Sequence, residues 1–234
     1  MVYNIIIFDL KLAISLYNKM NKNEKQDLLK KISILEYNNV YRLSDIFHGW
    51  DKSADLPGKI QKDSKFKNTI AYDYLANKKN EADLEVFKEV VERHSKKYPK
   101  PCKSELVIHL RLGDQGWSED VTIKYAKLKD HIKKCAIKTV SIVTALHFEN
   151  INHPSTAQNK VESSEECISK SLELIESLLR LLKTLEVNVK IISNSNIDQD
   201  FCYMVNSHFF MKSVSGGFSE LVAKTLKNTA VIIE

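Results

Sequence analysis

The chain has 234 residues, of which 43% are hydrophobic and 28% charged, and its mean hydropathy is −0.29, values typical of a globular protein. Its 6 glycines and 4 prolines exclude collagen-like and linker-like chains. The net charge of +5 comes from 31 lysines and only 4 arginines. Because nucleic-acid recognition favours arginine, we expect a solvated lysine surface and no nucleic-acid partner.

The sequence indicates a cytoplasmic protein without a membrane span or metal site. It has no uninterrupted apolar run of the roughly 18 residues that a membrane-spanning helix requires. Its four cysteines form no C-x-x-C pair, so no zinc site is predicted.

The residues before Pro99 show a less regular pattern than those after it. Elements predicted there are a strand over Asn4–Phe8, a helix over Lys22–Leu35, short strands over Asn39–Arg42 and Asn68–Leu75, and a long loop over Asp45–Asp63, which is rich in turn formers and aromatics. Loops of that length are often functional.

The segment Asn80–Tyr98 is predicted to be a helix, because its apolar positions recur at steps of three and four. Pro99 and Pro101 end it. These prolines predict a domain boundary, with an acceptor-side lobe over residues 1–100 and a nucleotide-sugar-binding lobe over residues 101–234.

After this boundary, apolar segments and amphipathic helices alternate. The predicted strands are Glu105–Leu110, Thr139–Leu146, Val187–Ile192, His208–Met211 and Ala230–Ile233, separated by helical segments. Strands alternating with helices predict right-handed crossovers and a parallel, doubly wound sheet, hence an α/β fold. Ligands of such sheets bind at the carboxyl ends of the strands.

Two of the predicted strand ends carry residues that suit anion binding. The first is VIHLRLGD, Val107 to Asp114, where alternation puts His109 and Arg111 on one side of the strand. A strand-end arginine can bind a phosphate with two parallel hydrogen bonds. It could equally form a surface ion pair with Asp114.

The second is SVSGGFSE, Ser213 to Glu220, a Ser- and Gly-containing turn before a predicted helix. Glycines let an anion approach the main chain at the positive end of a helix. Glycine and serine are also common at any turn between a strand and a helix.

Together the two motifs resemble a known family. HLRLGD is similar to the His-x-Arg-Arg-x-Asp block of the GDP-fucose-dependent fucosyltransferases, and the segment from Asp200 to Asn228 resembles their second donor-binding block. The resemblance implies an inverting, metal-independent transferase of the GT-B fold, with a Rossmann-like carboxyl-terminal lobe and here a short amino-terminal one. Leu112 stands where the family has a second arginine. GDP-fucose and a UDP-sugar such as UDP-xylose therefore both remain as donors.

The resemblance also implies roles for individual residues. Arg111 would hold the donor diphosphate, His109 and Asp114 would shape that pocket, and the turn from Ser215 to Ser219 would surround the β-phosphate. The predicted donor-binding residues are His109, Arg111, Gly113, Asp114, Ser193, Asn194, Ser215, Gly216, Gly217, Phe218 and Ser219.

The sequence thus predicts a glycosyltransferase that moves a sugar from a nucleotide-diphosphate donor to a glycan hydroxyl without a cofactor. On the acceptor side, His48, Trp50 and Asp51 are candidates from the predicted loop, and Asp73, placed at the end of a predicted strand, is the candidate catalytic base. The alternative is a nucleotide- or glycan-binding module without activity.

A further motif, Asp198-Gln199-Asp200, has the D-x-D form of a metal–diphosphate element. Aspartates are also common as caps at helix starts. We expect the capping role here.

Overall fold

The computed structural model describes residues 41–49, 56–112, 128–144, 174–175, 177–179, 181–192, 196–213, 216–227 and 229–233. The predicted strand Asn4–Phe8 and helix Lys22–Leu35 lie outside these residues. None of the described helices is both long and apolar enough to cross a membrane.

Five parallel strands form one sheet in the order β3-β2-β1-β4-β5. The strands are β1 Glu105–His109, β2 Thr139–Val143, β3 Asn188–Ile192, β4 Phe209–Met211 and β5 Val231–Ile233. The prediction of an α/β fold with a parallel sheet is confirmed. In this order the direction of winding reverses between β1 and β4, and such a reversal opens a crevice at the carboxyl ends of the two strands.

The strands are apolar because both faces of the sheet are covered. Alternate residues of β1 show this: Leu106 and Ile108 are buried in one hydrophobic cluster, and Val107 is buried in the other. The same alternation continues past the strand, where Leu110 and Leu112 are fully buried. His109 and Arg111 therefore lie on the opposite side, as the sequence predicted.

Seven α-helices with bounds inside the described residues accompany the sheet, in addition to helical residues between 174 and 184. They are α1 Leu43–His48, α2 Leu56–Lys62, α3 Ile70–Asn77, α4 Leu84–Ser95, α5 Leu128–Lys134, α6 Ile197–Val205 and α7 Gly217–Thr225. One face of the sheet packs on α5 and on buried leucines and isoleucine between 174 and 182. The other face packs on α6 and α7.

The helices before residue 100 belong to that second face. Buried side chains of α1, α2, α3 and α4 form one hydrophobic cluster with Val107, Phe201 and Phe210. Within the described part of the chain, the predicted boundary at Pro99 and Pro101 thus does not separate two cores. The assignment of acceptor binding to residues 1–100 stays a prediction.

Two predictions for this segment are wrong. Asn68–Leu75 is not a strand: α3 begins at Ile70, after the N-cap Thr69, whose side chain accepts from Tyr72 N. Asp45–Asp63 is not one loop, because its described residues include most of α1 and all of α2. The turn formers lie at helix ends instead, with Gly49 as the left-handed C-cap of α1 and Pro57 in the first turn of α2.

Tyr41 and Arg42 do not lie in a strand either, and Asn39 is outside the described residues. Arg42 is the N-cap residue of α1, although its side chain makes no capping hydrogen bond. Its extended backbone agrees with the strand-like sequence pattern, but none of the described strands pairs with it. In contrast, the predicted helix Asn80–Tyr98 is confirmed as α4, with Asp83 as its N-cap.

Candidate functional site

The candidate site lies at the carboxyl ends of the adjacent strands β1 and β4, where the order of the sheet reverses. Arg111 follows β1, and Gly216 lies between β4 and α7. A Cβ atom placed on Gly216 would lie 2.9 Å from Nη1 of Arg111. The fold therefore brings the two motifs into contact across about a hundred residues of sequence.

Gly216 can lie against the guanidinium because it has no side chain. Its φ of 128° and ψ of 132° belong to a region that side-chain-bearing residues rarely adopt. As the N-cap of α7, Gly216 offers no side chain to cap the helix, and the first backbone N–H groups of a helix have no acceptor within it. The positive end of α7 and the Arg111 guanidinium thus converge.

The aromatic residues of the two motifs also meet. The ring centroids of His109 and Phe218 lie 5.4 Å apart, with the rings edge to face. The rings of Phe218 and Phe201 of α6 also pack edge to face, with centroids 5.4 Å apart. Phe201 in turn contacts Phe87 of α4 at 5.6 Å. A row of aromatic rings thus connects the site to the helices before residue 100.

The end of β4 and the start of α7 are joined by polar groups. The backbone N–H of Ser213 donates to Oγ of Ser219, which is buried in the first turn of α7, at 2.9 Å. At the flank, Lys212 Nζ lies 2.9 Å from Oε1 of Glu220. This pairing offsets the negative charge of Glu220 in the first turn of α7.

Of the residues predicted to bind the donor, the structure groups His109, Arg111, Gly216, Gly217, Phe218 and Ser219 at this edge. Five predicted donor-binding residues lie outside the described part of the chain: Gly113, Asp114, Ser193, Asn194 and Ser215. The acceptor-side candidates Trp50 and Asp51 lie outside it too.

His48 is the described acceptor-side candidate, and it lies near the other end of α7. Burial lowers the pKa of His48, and the nearby positive charge of Lys224 lowers it further. Lys224 is in the last turn of α7, and Gly217 begins the helix. At about 1.5 Å per residue, seven residues place these ends about 10 Å apart along the axis. The charge that acts on His48 thus comes from the end of α7 opposite Gly217.

Asp73 lies in α3 and not at a strand end, so the reason for choosing it as the base is wrong. Its Oδ2 is 2.8 Å from Nε2 of His94, whose side chain is only 1% exposed. Helix α3 packs against α1, α2 and α4. The Asp73 carboxylate thus belongs to a hydrogen-bonded pair within the helical layer.

Asp198 has a role that local sequence patterns do not reveal. Its Oδ2 accepts a hydrogen bond of 2.8 Å from the backbone N–H of Ile70, so it caps α3 from 128 positions away. Burial raises the pKa of this carboxyl to about 6, against the lowering effect of the Ile70 hydrogen bond. Its own helix is capped by Asn196. The capping role expected for the D-x-D motif is thus performed on a different helix.

The described residues contain no group of three or more His, Cys, Asp or Glu side chains suited to holding a metal ion. Both Asp198 and Asp200 are buried. Any anion held at this edge by described residues would meet arginine and main-chain donors.

Comparisons of the chain with protein-family models, with curated proteins and with solved structures give no significant match. The resemblance to the fucosyltransferases therefore rests on the two motifs and their placement.

Proposed function

We propose that the protein is a glycosyltransferase that binds a nucleotide-diphosphate sugar at the edge formed by β1, β4 and α7. The observation that supports this most directly is the contact of Arg111 with Gly216 at the point where the sheet order reverses. A guanidinium and a helix N-terminus that converge are suited to a diphosphate. In this proposal the sheet corresponds to the Rossmann-like lobe of a GT-B enzyme of the fucosyltransferase type.

In sugar transfer, these groups would stabilise the negative charge that develops on the leaving diphosphate. The bond between the sugar C1 and the diphosphate oxygen breaks, and the diphosphate takes the electron pair. The acceptor hydroxyl oxygen forms the new bond to C1 from the opposite side, and its proton passes to a base. We propose that Arg111 and the α7 N-terminus act as preorganised donors, which stabilise developing charge without reorganisation. We propose no described residue as the base.

Calorimetric titration tests donor binding. We expect GDP, UDP, GDP-fucose or UDP-xylose to bind in the presence of excess EDTA, and transfer to survive the chelator. The nucleotide that binds most tightly identifies the donor class. Loss of activity on chelation with recovery on adding Mn²⁺ would contradict the metal-independent mechanism, and failure of all four ligands to bind would contradict the site.

Substitution of Arg111 tests the role of the guanidinium. Arg111→Ala should reduce turnover about 10²- to 10³-fold, because one preorganised donor to a developing anion typically contributes about 3–4 kcal/mol. Arg111→Lys should not restore turnover, since an ammonium cannot reproduce the two-pronged geometry.

The exposed Arg93 of α4 provides the matched control, and Arg93→Ala should leave turnover unchanged. If Arg111 instead forms only a surface ion pair, its loss changes stability by about 0–1 kcal/mol and turnover not at all. Thermal unfolding measured beside turnover separates the two cases.

A binding module without activity is the second candidate. The pairing of Asp73 with His94 favours it, since the carboxylate expected to act as base is held elsewhere. Such a module would bind nucleotide with loss of affinity in Arg111→Ala, yet release no free sugar and modify no acceptor.

A further inference from the structure

The edge of the sheet opposite the candidate site carries a concentration of lysines. We call it the amino edge, because it consists of the segments that lead into the five strands. Nine exposed lysines lie in these segments or in the helix ends just before them: Lys96, Lys97, Lys100, Lys103, Lys133, Lys134, Lys138, Lys183 and Lys227. They are scattered along the sequence, and the parallel topology gathers them at one edge.

Backbone hydrogen bonds show that these segments lie side by side. The N–H of Lys138 donates to the carbonyl of Ser104 at 3.1 Å, and the N–H of Asn188 donates to the carbonyl of Lys138 at 3.0 Å. Neighbouring strands lie about 4.8 Å apart. Lys103 and Lys138 are therefore carried by adjacent segments of a continuous surface.

Among the described residues, little exposed negative charge lies beside these lysines, although the buried Asp198 carboxyl interacts with Lys97. The carboxylate of Glu105, at the start of β1, is only 1% exposed and accepts hydrogen bonds from Ser141, Tyr203 and the backbone of Cys102. Among the described residues at this edge, the exposed acids are Glu92 and Glu186. Helix dipoles explain basic residues in a last turn, but Lys100, Lys103 and Lys138 lie outside helices.

Exposed apolar side chains accompany this charge. Val189, at the second position of β3, and Val231 and Ile232, at the first two positions of β5, are 36%, 44% and 41% exposed. Within the described part of the sheet, β3 and β5 are the outermost strands. These apolar side chains therefore lie at the two ends of the row of lysines.

We propose that the amino edge is a docking surface for an anionic lipid bilayer. A lysine ammonium group attracts anions without requiring one fixed geometry, so it suits a fluid layer of negatively charged lipid headgroups. Exposed apolar side chains beside the lysines suit contact with the membrane interface. Nucleic acid is the less fitting partner, because arginine is scarce and Tyr98, the aromatic nearest these lysines in the sequence, is half-buried. Docking in this way leaves the carboxyl edge facing away from the membrane.

Sedimentation with vesicles tests this surface, independently of any catalytic activity. The full chain should bind vesicles of phosphatidylcholine with about 30% phosphatidylserine at low salt, and not vesicles of phosphatidylcholine alone. The combined variant Lys100→Glu, Lys103→Glu and Lys138→Glu should bind at least about hundredfold more weakly, since the loss of each basic residue near such a surface costs about fivefold and each glutamate adds repulsion.

The control variant carries the same charge change in the helical segment before α4: Lys59→Glu, Lys62→Glu and Lys79→Glu, all at exposed positions. It should lose less than threefold in vesicle affinity. An equal loss in both variants would show that only net charge matters and would overturn the proposal, as would failure of the unmodified chain to bind the anionic vesicles.

A second pair of measurements separates lipid from nucleic acid. Val231→Ser with Ile232→Ser should reduce vesicle affinity about tenfold, because apolar contact with the interface is lost. A 20-nucleotide DNA strand should bind more weakly than the vesicles at the same salt. Tighter binding of the DNA, together with vesicle affinity unchanged in the serine variant, would assign the amino edge to nucleic acid instead. Thermal unfolding verifies that each variant is folded.

Discussion

The two faces of the sheet are covered by different types of side chain. The face covered by α5 packs on a cluster of leucines, isoleucines, a valine and a methionine. The face covered by α6, α7 and the first four helices contains the fully buried aromatic residues of the described chain and, beside them, the buried side chains of Glu105, Asp198 and His94. The aliphatic face is stabilised by close packing and by the burial of apolar area. The aromatic face also orients polar groups, and it is the side on which His109 and Arg111 lie.

The largest change in stability is expected when one large side chain is truncated on each face of the sheet. Phe201→Ala and Leu178→Ala both truncate fully buried residues, and each should lower the free energy of unfolding by about 2–5 kcal/mol. Only Phe201→Ala should also weaken nucleotide binding, because Phe201 contacts Phe218, which contacts His109.

Chemical denaturation and nucleotide titration of the two variants provide the measurements. Equal nucleotide affinities in the two variants would show that the aromatic row does not support the site.

The aromatic face contains buried ionisable side chains. Substitutions there should therefore change how the free energy of unfolding depends on pH. The folded-state pKa of Asp198, about 6, lies above the ordinary value of 3.8, so the folded state binds a proton more tightly than the unfolded state. Asp198 therefore lowers stability progressively as pH rises from about 4 to 6. Asp198→Asn should remove this trend and raise stability above pH 6 by about 1–3 kcal/mol.

The experiment measures the difference in unfolding free energy between wild type and variant from pH 4 to pH 8. Asp130→Asn, an exposed position on α5, is the matched change on the aliphatic face and should leave the pH profile unchanged. A difference between wild type and Asp198→Asn that is constant with pH would contradict the assignment.

The last effect on stability is expected at Gly216. Gly216→Ala should cost about 1–3 kcal/mol because of its positive φ, and it should displace the Arg111 guanidinium and so weaken nucleotide binding. Gly49→Ala is matched, since Gly49 has φ 68° and its Cβ would meet the side chain of Glu81 at 3.1 Å. It should lose stability without loss of binding, which titration calorimetry measures.

The sheet could be predicted from the sequence because each strand is a short apolar run between helical segments, and the strand ends that carry Arg111 and Gly216 follow from that alternation. The helical nature of Asn68–Leu75 was missed because the residues Thr69, Ile70, Tyr72 and Tyr74 favour strands locally. The burial of Ile70, Ala71, Tyr74 and Leu75 follows a helical period, and that spacing is the signal that could have identified α3.

Other features depend on tertiary structure alone. The cap that Asp198 supplies to Ile70 joins residues far apart in the chain, so a local D-x-D pattern cannot reveal it. The amino edge is likewise invisible in the sequence, where its lysines are separated by long stretches of chain. Such features arise only when the strand order is known.

The strand order also bears on how the chain folds. Strands β1 and β2 pair Glu105 with Thr139, whereas β1 and β4 pair Leu106 with Phe209, about a hundred residues later. Pairing across longer stretches of chain carries a larger loop-closure cost and is slower. We therefore expect the seam between β1 and β4 to close late in folding. The contact of Arg111 with Gly216 would then be among the last parts of the protein to form.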